Sequence, residues 1–259
     1  MINTPTLADS ICDLRTRKIK TTFFNQINEL LDWKAIDLII DKDYHRGKSA
    51  TGKPSYDGIL LFKMCLLQNR YGLSDYEVED RSDEQSEPIT KELASSVDKD
   101  GSWLKKRGKL HYGYKKHHVT DEEGLVLGVL TTTANVNEIA NLDEVLDTAD
   151  LPENIPLKAD KGYQSAKNNQ ILEKRKLKNH ILKKAKRNKP LTKWEKRYNK
   201  LIGKTRFKVE RTFGGIKRWF GGGVARYRGI EKMHTQNLME AMCYNLYRSP
   251  GIIASNCKI

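Results

Sequence analysis

The chain has 259 residues, 38% of them hydrophobic and 31% charged, enough for one large domain or two modest ones with a real core. No stretch approaches the roughly 18 apolar residues of a membrane span, and the opening MINTPTLADSICDLRTRK lacks the apolar centre of a signal peptide, so a cytoplasmic chain with no membrane partner is expected. The net charge of +14 is split, with −6 over residues 1–150 and +20 over 151–259. A part this basic is a footprint for a polyanion, most simply nucleic acid, with a solvated or ribosome-associated basic face as the alternative.

Residues 21–43, with Phe24, Ile27, Leu30, Leu31 and Trp33 at helical spacing, predict a helix. The loop YHRGKSATGKPS follows, punctuated by Gly and Pro. YDGILLFKMCLLQNRYGLSDYEVEDR resumes as helix, with a stop at Gly72 and a new N-cap at Ser74. Residues 1–81 thus read as a helical unit that binds DNA or serves as a scaffold. Residues 82–102 have the polar, acidic composition of a linker. Asp98 and Asp100 fall in it and read as a solvated acidic loop.

From Lys109 the pattern turns to strand. LHYGYKKHHVT and LVLGVLTTTANV, separated by DEEG, predict a hairpin, with His117 and His118 on opposite faces, one in the core and one exposed. A helix follows around Ile139–Leu146. IPLKAD predicts a short buried strand ending on Asp160, with Gly162 allowing a sharp turn behind it. Ser165 caps the next helix, and NHILKKA is another strand. A long basic helical pattern runs from Leu191 to Phe220, broken near Gly203. Trp194 and Trp219 flank it and are expected in the core, with base stacking as the alternative. Gly221–Gly223 reads as a helix stop, and EKMHTQNLMEAMCYNLYR closes as a helix before a tail, 251–259. The order of strands and helices in residues 103–250 is that of an α/β domain. Cys12, Cys65, Cys243 and Cys257 show no zinc spacing and read as reduced or buried thiols.

RFKVERTFGGIKRWF holds one acid, Glu210, among Arg206, Lys208, Arg211, Lys217 and Arg218. At 100° per residue, Arg206, Glu210, Phe213 and Lys217 share a stripe about 60° wide. Read alone, Arg206–Glu210 is an ordinary surface pair. Asp160 adds a second carboxylate at the C-terminal end of a strand, where ligands bind in α/β sheets. Asp160 and Glu210 are hard oxygen ligands for Mg²⁺ or Mn²⁺, with the cations around them placed for DNA phosphates.

These residues resemble a DDE transposase of bacterial insertion sequences, in the group named for insertion sequence 5. The family signature Tyr-x2-Arg-x3-Glu-x6-Lys is matched by Arg206, Glu210 and Lys217, with Gly203 in the Tyr position and Tyr198 out of register. LKADKGYQS resembles the segment of the second catalytic Asp, which maps to Asp160. WLKKRGKLHYGYKKHHVTD resembles the second strand and its lead-in, and SYDGILLFKMCLLQNRYGLSDYEVEDR the preceding helical domain. The resemblance implies a ribonuclease-H-like core whose catalytic residues and metal ligands include Asp160 and Glu210, with Arg206, Lys208, Arg211, Lys217 and Arg218 on DNA. It implies Mg²⁺ or Mn²⁺, double-stranded DNA (terminal inverted repeats and target) as partner, and an oligomer with itself or with a full-length transposase.

The family's first catalytic Asp sits in an apolar strand, and EDRSDEQSEPITKELASSVDKDGSW, Glu79–Trp103, contains no such strand. The expectation is a core lacking its first strand, weak metal binding and defective catalysis. A non-catalytic DNA binder that occupies transposon ends is the alternative, and a poorly folding remnant the third.

Overall fold

The computed structural model describes residues 26–44, 56–73, 98–106, 108–185 and 190–256. The predicted N-cap at Ser74, most of the loop before Tyr56, linker residues 82–97, Cys12, Cys257 and the last three residues of the tail lie outside them. Two compact units divide the chain, Met1–Gln68 with Leu246–Ile259, and Asn69–Asn245. The architecture is mixed α/β.

In the first unit, the single helix expected over 21–43 is divided. Residues 26–30 are helical, and α1 (Trp33–Asp43) starts afresh because the Asp32 carboxylate accepts from the Lys34 and Ala35 amides. The Lys63 ammonium, on α2 (Gly58–Tyr71), lies 4.5 Å from the Trp33 ring centre. Gly58 lets the two helices approach closely, since a Cβ there would lie 2.6 Å from Ile40 Cγ2.

The second unit holds the five strands found among the described residues. β1 (Ser102–Lys106), which sequence patterning did not separate from its neighbours, pairs antiparallel with the start of β2 (Lys109–Thr120). The rest of β2, from Tyr114, pairs antiparallel with β3 (Val126–Thr133). β4 (Pro156–Ala159) and β5 (Lys178–Ile181) form a separate parallel pair. Among the described strands, no strand joins the two sheets.

β4 is not the buried strand expected. Only Leu157 and Ala159 pack inward, while Pro156 and Lys158 face out. The core beneath the parallel pair comes from Leu142 and Leu146 of α3 (Leu142–Asp147), Leu172 of α4 (Ala166–Lys174), Leu177 and Ile181. Ser165 caps α4 as expected, accepting from the Asn168 amide at 3.1 Å.

The long basic pattern forms α5 (Lys193–Gly203) and α6 (Arg206–Trp219). A full capping box, Thr192 with Glu195, starts α5. At the break, the Thr205 hydroxyl donates to Ile202 O at 2.8 Å, so it turns back to end α5 and leaves α6 without a side-chain cap. α6 stops where expected: Gly221 takes φ +68°, and the Phe220 and Gly222 amides both donate to Ile216 O.

α7 (Ile230–Asn256) runs through Pro250 into the expected tail. Gly215 brings α6 against it, since a Cβ there would lie 2.7 Å from the Tyr244 ring. Ile216, Phe220, Met233 and Tyr244 fill that contact, each 2% exposed or less.

Polar ties join α7 to the hairpin, among them two with buried or paired partners and the contacts of Asn237 and His234 with Thr131. The Lys116 ammonium meets Glu240, whose side chain is 1% exposed, and Gln236 Nε2 donates to the other oxygen of that carboxylate at 2.7 Å. Asn245 pairs its side-chain amide with both backbone groups of Val126 at 2.8 Å.

Asp98, half-buried, and Asp100, exposed, lie in a turn as an acidic loop would, but their carboxylates have fixed partners. Asp98 accepts from Tyr114 Oη at 2.7 Å and from the Gly229 amide at 3.3 Å, and Asp100 accepts from the Ile230 amide at 3.2 Å. Tyr114 also holds the Asp98 carboxyl below its ordinary pKa, while burial raises the Tyr114 phenol. The start of a helix leaves amides unpaired, and these two acids satisfy the first ones of α7.

Candidate functional site

Asp160 follows β4 at the C-terminal end of the parallel pair. Its backbone is extended (φ −67°, ψ 157°), and its carboxylate accepts from the Lys161 amide at 2.8 Å, capping a short 3-10 turn, Lys161–Tyr163. Gly162 is not what allows this turn. It has no positive φ, and a Cβ there would meet nothing within 4 Å.

Glu210 stands one turn into α6. The structure brings the two acids onto one side chain: Arg206 Nε donates to Glu210 Oε1 at 2.8 Å, and Arg206 NH1 lies 3.6 Å from Asp160 Oδ1. All three side chains are open to solvent, at 56% for Arg206, 46% for Asp160 and 64% for Glu210. Exposed pairs contribute about 0–1 kcal/mol each, so the guanidinium gathers the carboxylates without locking them.

α6 is aimed by the hairpin turn. Thr212, fully buried, donates to Gly124 O at 2.7 Å, Arg211 donates to Glu123 O at 2.8 Å, and Lys208 donates to Glu122 O. Gly124 has φ +83°, which only glycine adopts readily. The three donors converge on three consecutive carbonyls. Lys208 and Arg211, expected on DNA, therefore hold the turn with part of their donor set. Lys217 lays its aliphatic chain over Gly223, and the Arg218 guanidinium lies 5.2 Å from the Trp219 ring centre; both cations are exposed.

His117 is in the core, 5% exposed, with Nε2 3.0 Å from Thr132 Oγ1. His118 is not exposed as expected. It stacks on Phe213 at 4.7 Å between ring centres, nearly parallel, and both ring nitrogens are buried without a hydrogen-bond partner. Burial, with Lys116 and His117 adding to it, pushes the imidazole down to about 4.

An unfolded histidine takes its proton near pH 6.5. Between those values the unfolded chain binds more protons, so stability rises with pH across that window. The expected loss on acidifying from about pH 6.5 to about pH 4 is up to about 3 kcal/mol from this residue. Thermal melts of His118→Phe, which keeps the stack, should show a flatter pH profile. An unchanged pH slope places the titration elsewhere.

Trp194 and Trp219 are not in the core. They are 65% and 52% exposed. Periodicity put them on the margin of the basic helices, and the apolar faces that do pack are those of Ile202, Ile216 and Phe220.

The donor set can be matched against a divalent ion. Mg²⁺ and Mn²⁺ take several hard oxygens, and a two-metal centre needs carboxylates enough to clamp both ions. Asp160 and Glu210 supply two, each facing a guanidinium. Among the described residues, no third His, Cys, Asp or Glu completes a group with them. These residues do not fit a complete two-metal centre.

The mixed α/β domain is that of a transposase, and the chain belongs to the DDE transposase family: the family model described as "Transposase DDE domain" matches residues 79–246. A second model, "Transposase domain (DUF772)", matches residues 13–87. The chain is similar to the transposase for insertion sequence element IS1106 of Neisseria meningitidis serogroup B, 40% identical over 167 residues, which is 64% of this chain and 57% of that protein. The chain thus aligns with little more than half the length of that relative. No solved structure matches it. Among the described residues, no helix is long and apolar enough to cross a membrane.

Proposed function

We propose that the chain binds the DNA ends of an insertion sequence as a transposase, and that its ability to cut and rejoin them is impaired. Transposases of this family act on DNA and depend on divalent metal. One observation carries the reading: Arg206 draws together Asp160 and Glu210, from two separate elements, at a strand end beside a basic helix. The acids are the second and third carboxylates of the family pattern. The cations beside them, Lys217 and Arg218 with the free donors of Lys208 and Arg211, are placed for phosphate.

The core is ribonuclease-H-like, with its first strand lost. The separation of the hairpin sheet from the β4–β5 pair supports this. A central strand would pair with both, and its loss would leave sheet-edge backbone groups to water or another chain. That strand would also have brought the first Asp, the carboxylate that the donor set lacks.

DNA affinity tests the binding half of the reading. Contacts mainly to phosphate give a log–log salt slope of roughly −0.9 per neutralised phosphate. Fluorescence anisotropy with a duplex carrying the element's inverted repeat should show a steep fall with salt. Lys217→Ala should weaken binding for any sequence and make the slope shallower by about 1. Salt-independent binding, or none at low salt, contradicts the reading.

A further inference from the structure

Trp194 opens α5 with its indole 65% exposed. It stacks on Tyr198, one turn on, with ring centres 5.3 Å apart and planes 17° from parallel. Tyr198 is itself held in place. Its hydroxyl donates to Asn179 O at 3.3 Å, His180 meets its ring edge-on at 6.2 Å, and the Lys183 ammonium lies 5.7 Å from its centre. Asn199 then pins the helix to the segment after β5, accepting from the Lys183 amide at 2.8 Å and donating to Lys183 O at 2.9 Å. The result is a rigid aromatic ledge with an open indole on top. Exposed cations share its helix, Lys193, Lys196, Arg197 and Lys200 among them.

Its position follows from the sheet. β4 and β5 are parallel, with Ala159 opposite Ile181, so Asp160 and Lys183 leave the strands at the same end. The Lys184 amide donates to Gln164, in the turn that follows Asp160. The ledge and the carboxylates therefore stand on one edge of the domain.

An exposed aromatic ring among cations combines a stacking surface with a phosphate track. In an intact duplex the bases are already stacked on one another and offer no free face. A frayed or single-stranded end does. We propose that Trp194, backed by Tyr198, is a stacking site for an unpaired base of a DNA strand whose phosphates follow Lys183 and the cations of α5. This rests on the reading that the chain binds DNA, and adds to it the kind of DNA end it prefers.

The test compares a blunt duplex with the same duplex carrying a short single-stranded tail that contains 2-aminopurine. The chain should bind the tailed probe about tenfold more tightly, as stacking of one base on an aromatic side chain predicts. It should also quench the probe's fluorescence. Trp194→Ala should lose both the preference and the quenching while leaving the blunt affinity within about twofold, and Trp194→Phe should keep most of both. The indole is exposed, so melting temperature should stay the same in both variants.

A tail preference that survives Trp194→Ala overturns the proposal. So does an equal loss on both probes, which would make Trp194 a general structural residue. If Trp194→Ala instead dissociates an oligomer in sedimentation and leaves the preference intact, the ledge is a surface for a second copy and the proposal is wrong. A wild-type chain that binds neither probe overturns the DNA-binding reading itself, whereas binding without tail preference removes only this inference.

Discussion

Glu240→Ala should destabilise the chain by about 3–5 kcal/mol, the range for removing one partner of a buried ion pair. Glu240 is 1% exposed and sits between Lys116 of β2 and Gln236 of α7. Its loss strands the Lys116 ammonium, whose side chain is 18% exposed, against the packed face of α7. It also removes the acceptor for Gln236, which still bridges to Val224 O and the Arg226 amide. For a domain of this size the shift corresponds to a fall in Tm of about 10 °C. Replacing both partners, Lys116→Met with Glu240→Leu, should recover most of the loss, because an apolar pair of similar volume is often as stable as a buried ion pair. The readout is a melt followed by circular dichroism. A fall of less than about 1 kcal/mol in Glu240→Ala would mean that the pair is wet and that β2 and α7 are held by apolar contacts alone.

The second large effect is a gain. Inserting an apolar strand that bears one Asp ahead of Asp98 should raise metal-dependent nicking of inverted-repeat DNA by on the order of 10³-fold, because it completes the carboxylate set on which a metal clamp depends. The same insertion with Asn in place of that Asp should restore fold stability without activity. This control separates two consequences that the proposed loss of a strand would have: open sheet edges, which are a stability matter, and an absent oxygen donor, which is a chemical one. Equal activity from the Asp and Asn insertions would show that the strand matters only as structure.

Much of the domain was legible because its signals are local. The alternation in β2 and β3, the cap at Ser165 and the stop at Gly221 each depend on residues within a few positions. The stripe of Arg206, Glu210, Phe213 and Lys217 was readable as well, and it predicted that Glu210 would share its face with cations. What escaped depends on partners distant in the chain. Asp98 reaches Gly229, 131 positions away, so composition alone made it a linker acid. Lys116 and Glu240 are 124 positions apart, and nothing around either marks a buried charge. Trp194 was assigned to the core because hydrophobicity says an indole wants cover, but not whether a neighbour supplies it. The histidine pair escaped for the opposite reason: alternation put one of His117 and His118 outward, and Phe213 of α6 covers the one outside the core, His118.

The carboxylates show the same boundary. Sequence spacing placed Glu210 on the basic stripe and Asp160 at a strand end. That the two meet at one guanidinium could come only from how α6 is set on the hairpin turn by Lys208, Arg211 and Thr212.

The most direct test is a strand-cleavage assay of the wild-type chain on its element's inverted-repeat duplex, with Mg²⁺ or Mn²⁺, run beside a gel shift on the same samples and with Glu210→Ala alongside. The expected result is a salt-sensitive shift of similar strength for both proteins and no nick above background from either. Nicking by the wild-type chain at a rate comparable to an intact relative, abolished by Glu210→Ala, would contradict the account of an incomplete catalytic set.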